Sequence, residues 1–306
     1  MAAIGFTSRL VTVILGMPPL FAWAKRQARQ MMIDRAEGMG VPWRQIVAEW
    51  RSQDLEPDLA MVESPAVVYP DYYTTSFHAY AEGNLGWEPA IEVEVAALAV
   101  HSRIFAEGGP DGDARLRRSY HQALQTRLPQ VPQRILDGGC SVGMSTFALQ
   151  DVFPAAHLTG LDLSPYFLAM AHRRSQTAAE SQRRAIAWVH GLAEATGLPD
   201  EGFDLVSFSL VFHELPATAA REILREAHRL LQPGGHFALM DMNPQSAVYA
   251  KMPPYILTLL KSTEPYLDQY FALDLAAELT AVGFENVTID AISPRHRTVV
   301  ARKPSS

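Results

Sequence analysis

Ile135-Leu136-Asp137-Gly138-Gly139-Cys140-Ser141-Val142-Gly143-Met144 is the stretch that decides the fold. An apolar pair runs into an acid, and three glycines follow within six residues. This is how a strand ends in a tight loop when a nucleotide-like ligand must lie against bare backbone, because glycine accepts unusual dihedrals and puts no side chain in the way. The loop has no Lys-Ser/Thr pair of the kind that cradles a triphosphate, and it lacks the G-x-G-x-x-G spacing of dinucleotide binders. Taken alone, it is also consistent with a simple turn. Cys140, inside it, reads as a small buried filler or, less simply, as a reactive thiol.

The segments downstream narrow the choice. Leu158 to Leu163 reads as a second strand with Asp162 near its end, twenty-five residues after Asp137. An acid at that place grips a ribose diol. Ser164-Pro165 supplies an N-cap followed by proline at the first helical position. Phe203 to Leu215 reads as a strand running into a loop, and Leu230 to Asp241 as a helix end, a turn and another strand.

In that order and spacing these segments resemble the class I S-adenosylmethionine-dependent methyltransferases, in particular the type 11-like domain. The resemblance covers about residues 115–303. The family's first motif is typically Leu-Asp-x-Gly-Cys-Gly-x-Gly, and here Ser141 takes the place of the middle glycine. Gly191 to Pro199 resembles the segment that flanks the adenine, with Leu192 where the family often has Asp. Leu231 to Gly235 resembles the turn before the fifth strand. The resemblance implies S-adenosyl-L-methionine as donor and S-adenosyl-L-homocysteine as product. It implies that Asp137 organises the methionine end, and that backbone at Gly138, Gly139, Ser141 and Gly143 lies beneath methionine and ribose. Asp162 then takes the ribose, Leu163 packs on the adenine, Ala193 and Glu194 line its edge, and Ser209 closes the donor side.

On the acceptor side, His213 and Glu214 follow the fourth strand, where family members place substrate-facing residues. A neutral His213 there takes a proton as the methyl group moves, or else simply bonds to backbone. Asp241 ends the fifth strand and points toward the same cleft, and Tyr72, Tyr73 and His78 close it from an aromatic connection. Arg295, His296 and Arg297 cluster in a hairpin turn, as a clamp for a substrate carboxylate with Arg295 foremost, or as a solvated turn. His101, His121 and His172 are scattered without ligand spacing, so no metal site is expected.

Composition sets limits on partners and compartment. The chain has 306 residues, 48% of them hydrophobic, a net charge of −7 and one cysteine. An acidic balance argues against nucleic acid as substrate, and no Asn-Pro-Pro-Tyr/Phe follows the fourth strand to receive a flipped base. A lone cysteine forms no internal disulfide, which fits a reducing, cytoplasmic setting. Leu10 to Ala24 is apolar but too short to span a bilayer and is broken by Pro18-Pro19. It reads as a lid or packing segment, as a peripheral membrane contact over residues 10–29, or as a weak signal peptide.

The expected architecture is α/β: a Rossmann-like, seven-stranded, mostly parallel sheet with an antiparallel C-terminal hairpin, plus an N-terminal helical cap. Residues 1–112 form the cap, with aromatic loops, and residues 113–306 the methyltransferase domain. Strands are expected at 134–139, 157–162, 185–190, 203–210, 236–242, 286–292 and 297–302, and residues 52–90 as one long irregular connection. The expected function is methyl transfer to a small-molecule oxygen, sulfur or nitrogen nucleophile in an enclosed pocket. S-methylation of a 4-methylthio-2-hydroxybutyrate-like thioether acid is one such reaction. The alternatives are methylation of an apolar lipid, quinone or terpenoid at a membrane face, and a donor-binding partner protein without catalysis. The oligomeric state is open.

Overall fold

Alternation of apolar runs with amphipathic stretches from residue 134 onward builds one twisted sheet with helices on both faces. The computed structural model describes residues 18–75, 80, 83–177 and 184–305. The strands are β1 (Arg134–Gly138), β2 (His157–Asp162), β3 (Ala187–His190), β4 (Phe203–Ser209), β5 (Leu231–Met242), β6 (Glu285–Ala291) and β7 (His296–Arg302). They lie in the order β3-β2-β1-β4-β5-β7-β6. The first five run parallel, and β7 is antiparallel to both β5 and β6. The strand order reverses between β1 and β4, so a crevice opens there at the carboxyl ends of the strands.

Helices α1 (Pro18–Gly38), α2 (Trp43–Arg51), α3 (Glu56–Val62), α4 (Trp87–His101) and α5 (Gly112–Arg127) precede the sheet. Between and after the strands come α6 (Met144–Val152), α7 (Pro165–Ser175), α8 (Ala217–Leu230), α9 (Ala247–Ala250), α10 (Pro254–Thr263), α11 (Leu267–Ala272) and α12 (Leu275–Val282). Ser164 caps α7, its hydroxyl accepting from Phe167 N at 3.3 Å. Asp274 caps α12 in the same way through Ala277 N at 3.1 Å.

The N-terminal helices share a core with the sheet domain. Ile33 and Ala36 of α1, Trp43 and Val47 of α2 and Ile91, Val95 and Ala99 of α4 pack in one cluster with Val142, Phe167 and Met170. That cluster crosses the boundary expected at residue 113. Glu92 is fully buried beneath it and accepts from Arg29 Nε at 2.9 Å and from the Tyr80 hydroxyl at 2.7 Å. Asp58 of α3 reaches α7, accepting from Arg173 Nε and pairing with His172 Nδ1.

Three expectations need correction. The connection at 52–90 is not wholly irregular, because α3 forms within it, with a proline near its start and acids in its first turn. The stretch 267–281, whose pattern predicts a single helix, forms two, since Leu273 leaves helical geometry and Asp274 starts a new cap. β5 starts at Leu231, five residues before its expected start, and its extra length is absorbed by a register shift against β4 between Phe203 and Leu205. Among the described residues no helix is long and apolar enough to cross a membrane, and residues 10–17 of the proposed contact lie outside them.

Arg29→Met strands the Glu92 carboxylate in the core. Urea denaturation is expected to show a loss of about 2 kcal/mol, below the roughly 3–5 kcal/mol of a fully buried pair because a third of the Arg29 side chain meets solvent. A midpoint equal to that of the unsubstituted protein would mean that α1 is not anchored through this pair.

Candidate active site

The loop after β1 is built around two buried carboxylates. Asp137 Oδ2 accepts from Ser145 Oγ and Thr146 Oγ1, each at 2.6 Å, which ties the strand tip to the first turn of α6. Its Oδ1 is buried and has no partner among the described residues. Asp162 Oδ2 accepts from Ser141 N at 2.8 Å, and its Oδ1 accepts from Ser164 N at 2.8 Å. Burial pushes both carboxyls up to about 6, against the hydrogen bonds that favour their ionised forms.

Gly139 and Gly143 have φ of +64° and +82°, which explains their identity. Ser141 also sits in the left-handed region, at φ +52°, a conformation that costs a side-chain-bearing residue about 1 kcal/mol. At Gly138 a side chain is excluded by packing, since a Cβ there would lie 2.3 Å from the Phe208 ring. A Cβ on Gly139 would meet Val211 at 2.5 Å.

Leu163 is buried beside this loop. Its carbonyl accepts from His190 Nε2 at 3.1 Å, while His190 Nδ1 accepts from Ser64 N at 2.9 Å, which fixes the neutral tautomer. Ala193 packs against the main core cluster. Glu194 was expected at the adenine edge; its Oε1 accepts from the Tyr72 hydroxyl at 2.6 Å. Tyr72, expected on the acceptor side, thus joins Glu194, and its ring meets Tyr266 edge-on at 6.5 Å. Tyr73 stacks on Tyr69 at 6.3 Å, and its phenol is held well above its usual range by burial and by the charges of Asp162 and Glu214. His78 lies outside the described residues. Ser164 Oγ donates to Asn84 O at 2.7 Å, tying the aromatic strap to the tip of β2.

The second half of the site gathers at the ends of β4 and β5. Ser209 ends β4, and Leu210 follows at φ +61°. Phe212 to Glu214 form one 3-10 turn, seated on Phe208 and Phe237 by Phe212. His213 Nδ1 lies 2.7 Å from Asp241 Oδ1, and Asp241 also accepts from His213 N and Met242 N. Asp241 is fully buried and holds the imidazole in place, where direct substrate contact was expected. Glu214 Oε1 lies 4.0 Å from His213 Nε2. Arg295, expected on the acceptor side, donates from Nη2 to Arg103 O at 3.1 Å, which fastens the hairpin to the turn after α4.

Sequence reasoning missed Ser145 and Thr146 as the partners of Asp137, and Tyr270, whose hydroxyl donates to Met242 O at 2.7 Å and whose ring lies 6.4 Å from that of His213. The small hydroxyl residues at the start of α6 were a readable signal. Tyr270 was not, because it lies fifty-seven residues from His213 in the chain.

A family model described as a methyltransferase domain matches residues 136–239. An uncharacterized methyltransferase of Synechocystis is 33% identical over 166 residues, covering 54% of this chain and 73% of that protein. The chain belongs to the class I S-adenosylmethionine-dependent methyltransferases. The malonyl-[acyl-carrier protein] O-methyltransferase of Dechloromonas aromatica is 37% identical over 44% of this chain and 46% of its own. The demethylmenaquinone methyltransferase of Thermus thermophilus is 30% identical over 43% and 56%. This methyltransferase thus spans about half the length of those last two relatives. A phosphoethanolamine N-methyltransferase of Haemonchus contortus, solved with S-adenosylhomocysteine, superposes with a TM-score of 0.49 at 16% identity, covering 60% of this chain and 52% of that one.

The strand tips of this methyltransferase fit the family's donor. Asp137 Oδ1 is an unpartnered buried acceptor, as an ammonium group requires, and Asp162 keeps one lone pair on each oxygen for a diol. Asp162→Ala is expected to weaken S-adenosylhomocysteine binding by at least about tenfold in calorimetry. In the unsubstituted protein affinity should rise as pH increases to about 6 and then level off, because both raised carboxyls must ionise. The same shifts favour the protonated fold, so their contribution to stability is present at low pH and is lost as pH rises through about 6. Affinity that is independent of pH would remove the two carboxylates from the donor site.

Proposed function

We propose that this chain transfers a methyl group to a small acceptor enclosed between the carboxyl edge of the sheet and the aromatic strap. The observation that carries this reading is the position of Tyr72, whose hydroxyl donates to Glu194 at 2.6 Å while its ring meets Tyr266 edge-on at 6.5 Å, next to the helix that carries Tyr270. One side chain of the strap thus reaches the donor half and the acceptor half together. When bound, S-adenosylmethionine supplies an electrophilic methyl carbon on a sulfonium sulfur. The strap residues exclude water from that carbon, and Asp137 and Asp162 fix the orientation.

His213 does not suit the neutral base expected of it. Burial disfavours its charge, but Asp241, Glu264 and Glu214 outweigh burial and push the imidazole up to about 10. It therefore holds its proton throughout the neutral range, and the stability this confers is lost only as pH rises through about 10. A proton-holding His213 favours an acceptor atom that needs no deprotonation, such as a thioether sulfur. The sulfur lone pair forms the new bond to carbon, the old carbon–sulfur bond returns its pair to the donor, and no proton leaves. The aromatic faces of Tyr270 and Tyr249 and the nearby carboxylates suit the cation that results.

A second reading, an apolar acceptor delivered at a membrane face, is favoured by Tyr255, Ile256 and Leu259 of α10, which are exposed side by side. Relatives named for demethylmenaquinone methylation agree with it.

At saturating donor, kcat on a thioether acceptor is expected to be flat from about pH 6.5 to 8.5. Asp241→Asn removes the main support of the imidazolium and should bring the His213 ring titration, read by NMR, down toward that range. A wild-type profile that climbs with unit slope near pH 6.5 would restore the neutral base. Turnover of a quinone but of no polar acceptor would favour the second reading.

A further inference from the structure

Arg297 is a buried cation that bears on the Tyr270 phenol but keeps its Nε and Nη2 edge unbonded among the described residues. It is the second residue of β7, opposite Asp241 of β5, so the two side chains leave the sheet on the same face. It is only 6% exposed. Its guanidinium carbon lies 5.7 Å from the centre of the Tyr270 ring, the same ring that stands beside His213. The Asp241 oxygens accept from His213 and from Met242 N rather than from Arg297. Arg297 Nε and Nη2 have no acceptor among the described residues.

Those two N–H groups form one edge of the guanidinium. They are parallel and spaced like the two oxygens of a carboxylate. A buried donor edge left open is costly, and arginines that serve the fold have theirs filled. Arg295 nearby gives its Nη2 to a backbone carbonyl, and Arg117 gives its Nε to Asp113. Arg297 differs from both in being buried and open at once.

We propose that Arg297 anchors a carboxylate on the methyl acceptor, held side-on through Nε and Nη2, and so selects acids over their neutral analogues. This rests on the small-acceptor reading above. Glu214 and Glu264, whose charges act on His213, repel a second anion from that end. The acid therefore lies with its carboxylate on β7 and its nucleophilic end toward the donor. Arg297 thus sets which molecules enter and how they point.

The test uses the full chain loaded with S-adenosylhomocysteine. Thermal unfolding and calorimetry are followed while propanoate or propanamide is added at constant ionic strength. Propanoate is expected to stabilise saturably and propanamide not at all. Arg297→Gln should abolish that response while leaving S-adenosylhomocysteine affinity unchanged, and Arg297→Lys should keep a weaker one, since charge remains but the fork is lost. Among turned-over acceptors, the acid should exceed its amide in kcat/KM by about ten- to a hundredfold, and Arg297→Gln should erase that ratio. No carboxylate-specific response, a response that survives Arg297→Gln, or tighter binding of methyl phosphate than of propanoate would each overturn the assignment. Propanoate binding that depends on Arg297, in a protein that methylates no small acceptor, would uphold the anchor and sink only the transfer reading beneath it.

Discussion

The Asp162 carboxylate holds together the parts on which the rest of the site depends. One oxygen takes the Ser141 amide of the first loop, and the other takes the Ser164 amide at the start of α7. Its own carbonyl takes Gly191 N from the loop after β3. A single residue thus sets the spacing of three loops that come from separate strands. The cost is desolvation, visible in the upward shift of its carboxyl. Two backbone donors offset that cost without cancelling it. A ligand that brings further hydroxyl donors finds the acceptor already aligned, so little ordering remains at the moment of binding.

Strain is placed at the two tips that flank the strand reversal. Ser141 after β1 and Leu210 after β4 both occupy left-handed backbone. Such conformations persist only where the surroundings over-determine them. Here the surroundings are specific: Ser141 N is held by Asp162, and Leu210 N by Met240 O at 2.8 Å. Phe208 fills the space left by Gly138, and Val211 the space left by Gly139. The two loops therefore lock into each other. The Phe208–Phe212–Phe237 cluster then fixes the turn that carries His213.

Local signals in the chain were enough for the sheet and for the donor half. β1 with its glycines, β2 with its terminal acid and the Ser164-Pro165 cap are encoded within about thirty residues, where spacing alone constrains geometry. The acceptor half was legible only in part. His213 and Asp241 could be placed at the same edge, but their hydrogen bond depends on pairing β4 with β5 and on the 3-10 turn between them. Arg297 could be grouped with Arg295 and His296. His296 and Arg297 are both buried, and which of them faces Asp241 follows from the antiparallel register of β7 on β5, where a one-residue slip would exchange their faces. Helix α3 was hidden because its proline and acids look like loop composition, although they stand where a first helical turn accepts them.

Charge conservation connects the two halves. On the proposed reading, the acceptor side keeps an imidazolium, since Asp241, Glu264 and Glu214 push the His213 imidazole upward. An acceptor that shed a proton during transfer would add it beside a group that is already full. A lone-pair acceptor instead moves one positive charge over a short distance, from donor sulfur to acceptor atom, and leaves the total unchanged. Fixed carboxylates and aromatic faces can stabilise that charge at both ends of the path without reorganising. A guanidinium facing the opposite end of the acceptor then does no chemistry. It supplies the binding energy that holds the nucleophile in line, which is where a site without a free base must find its rate.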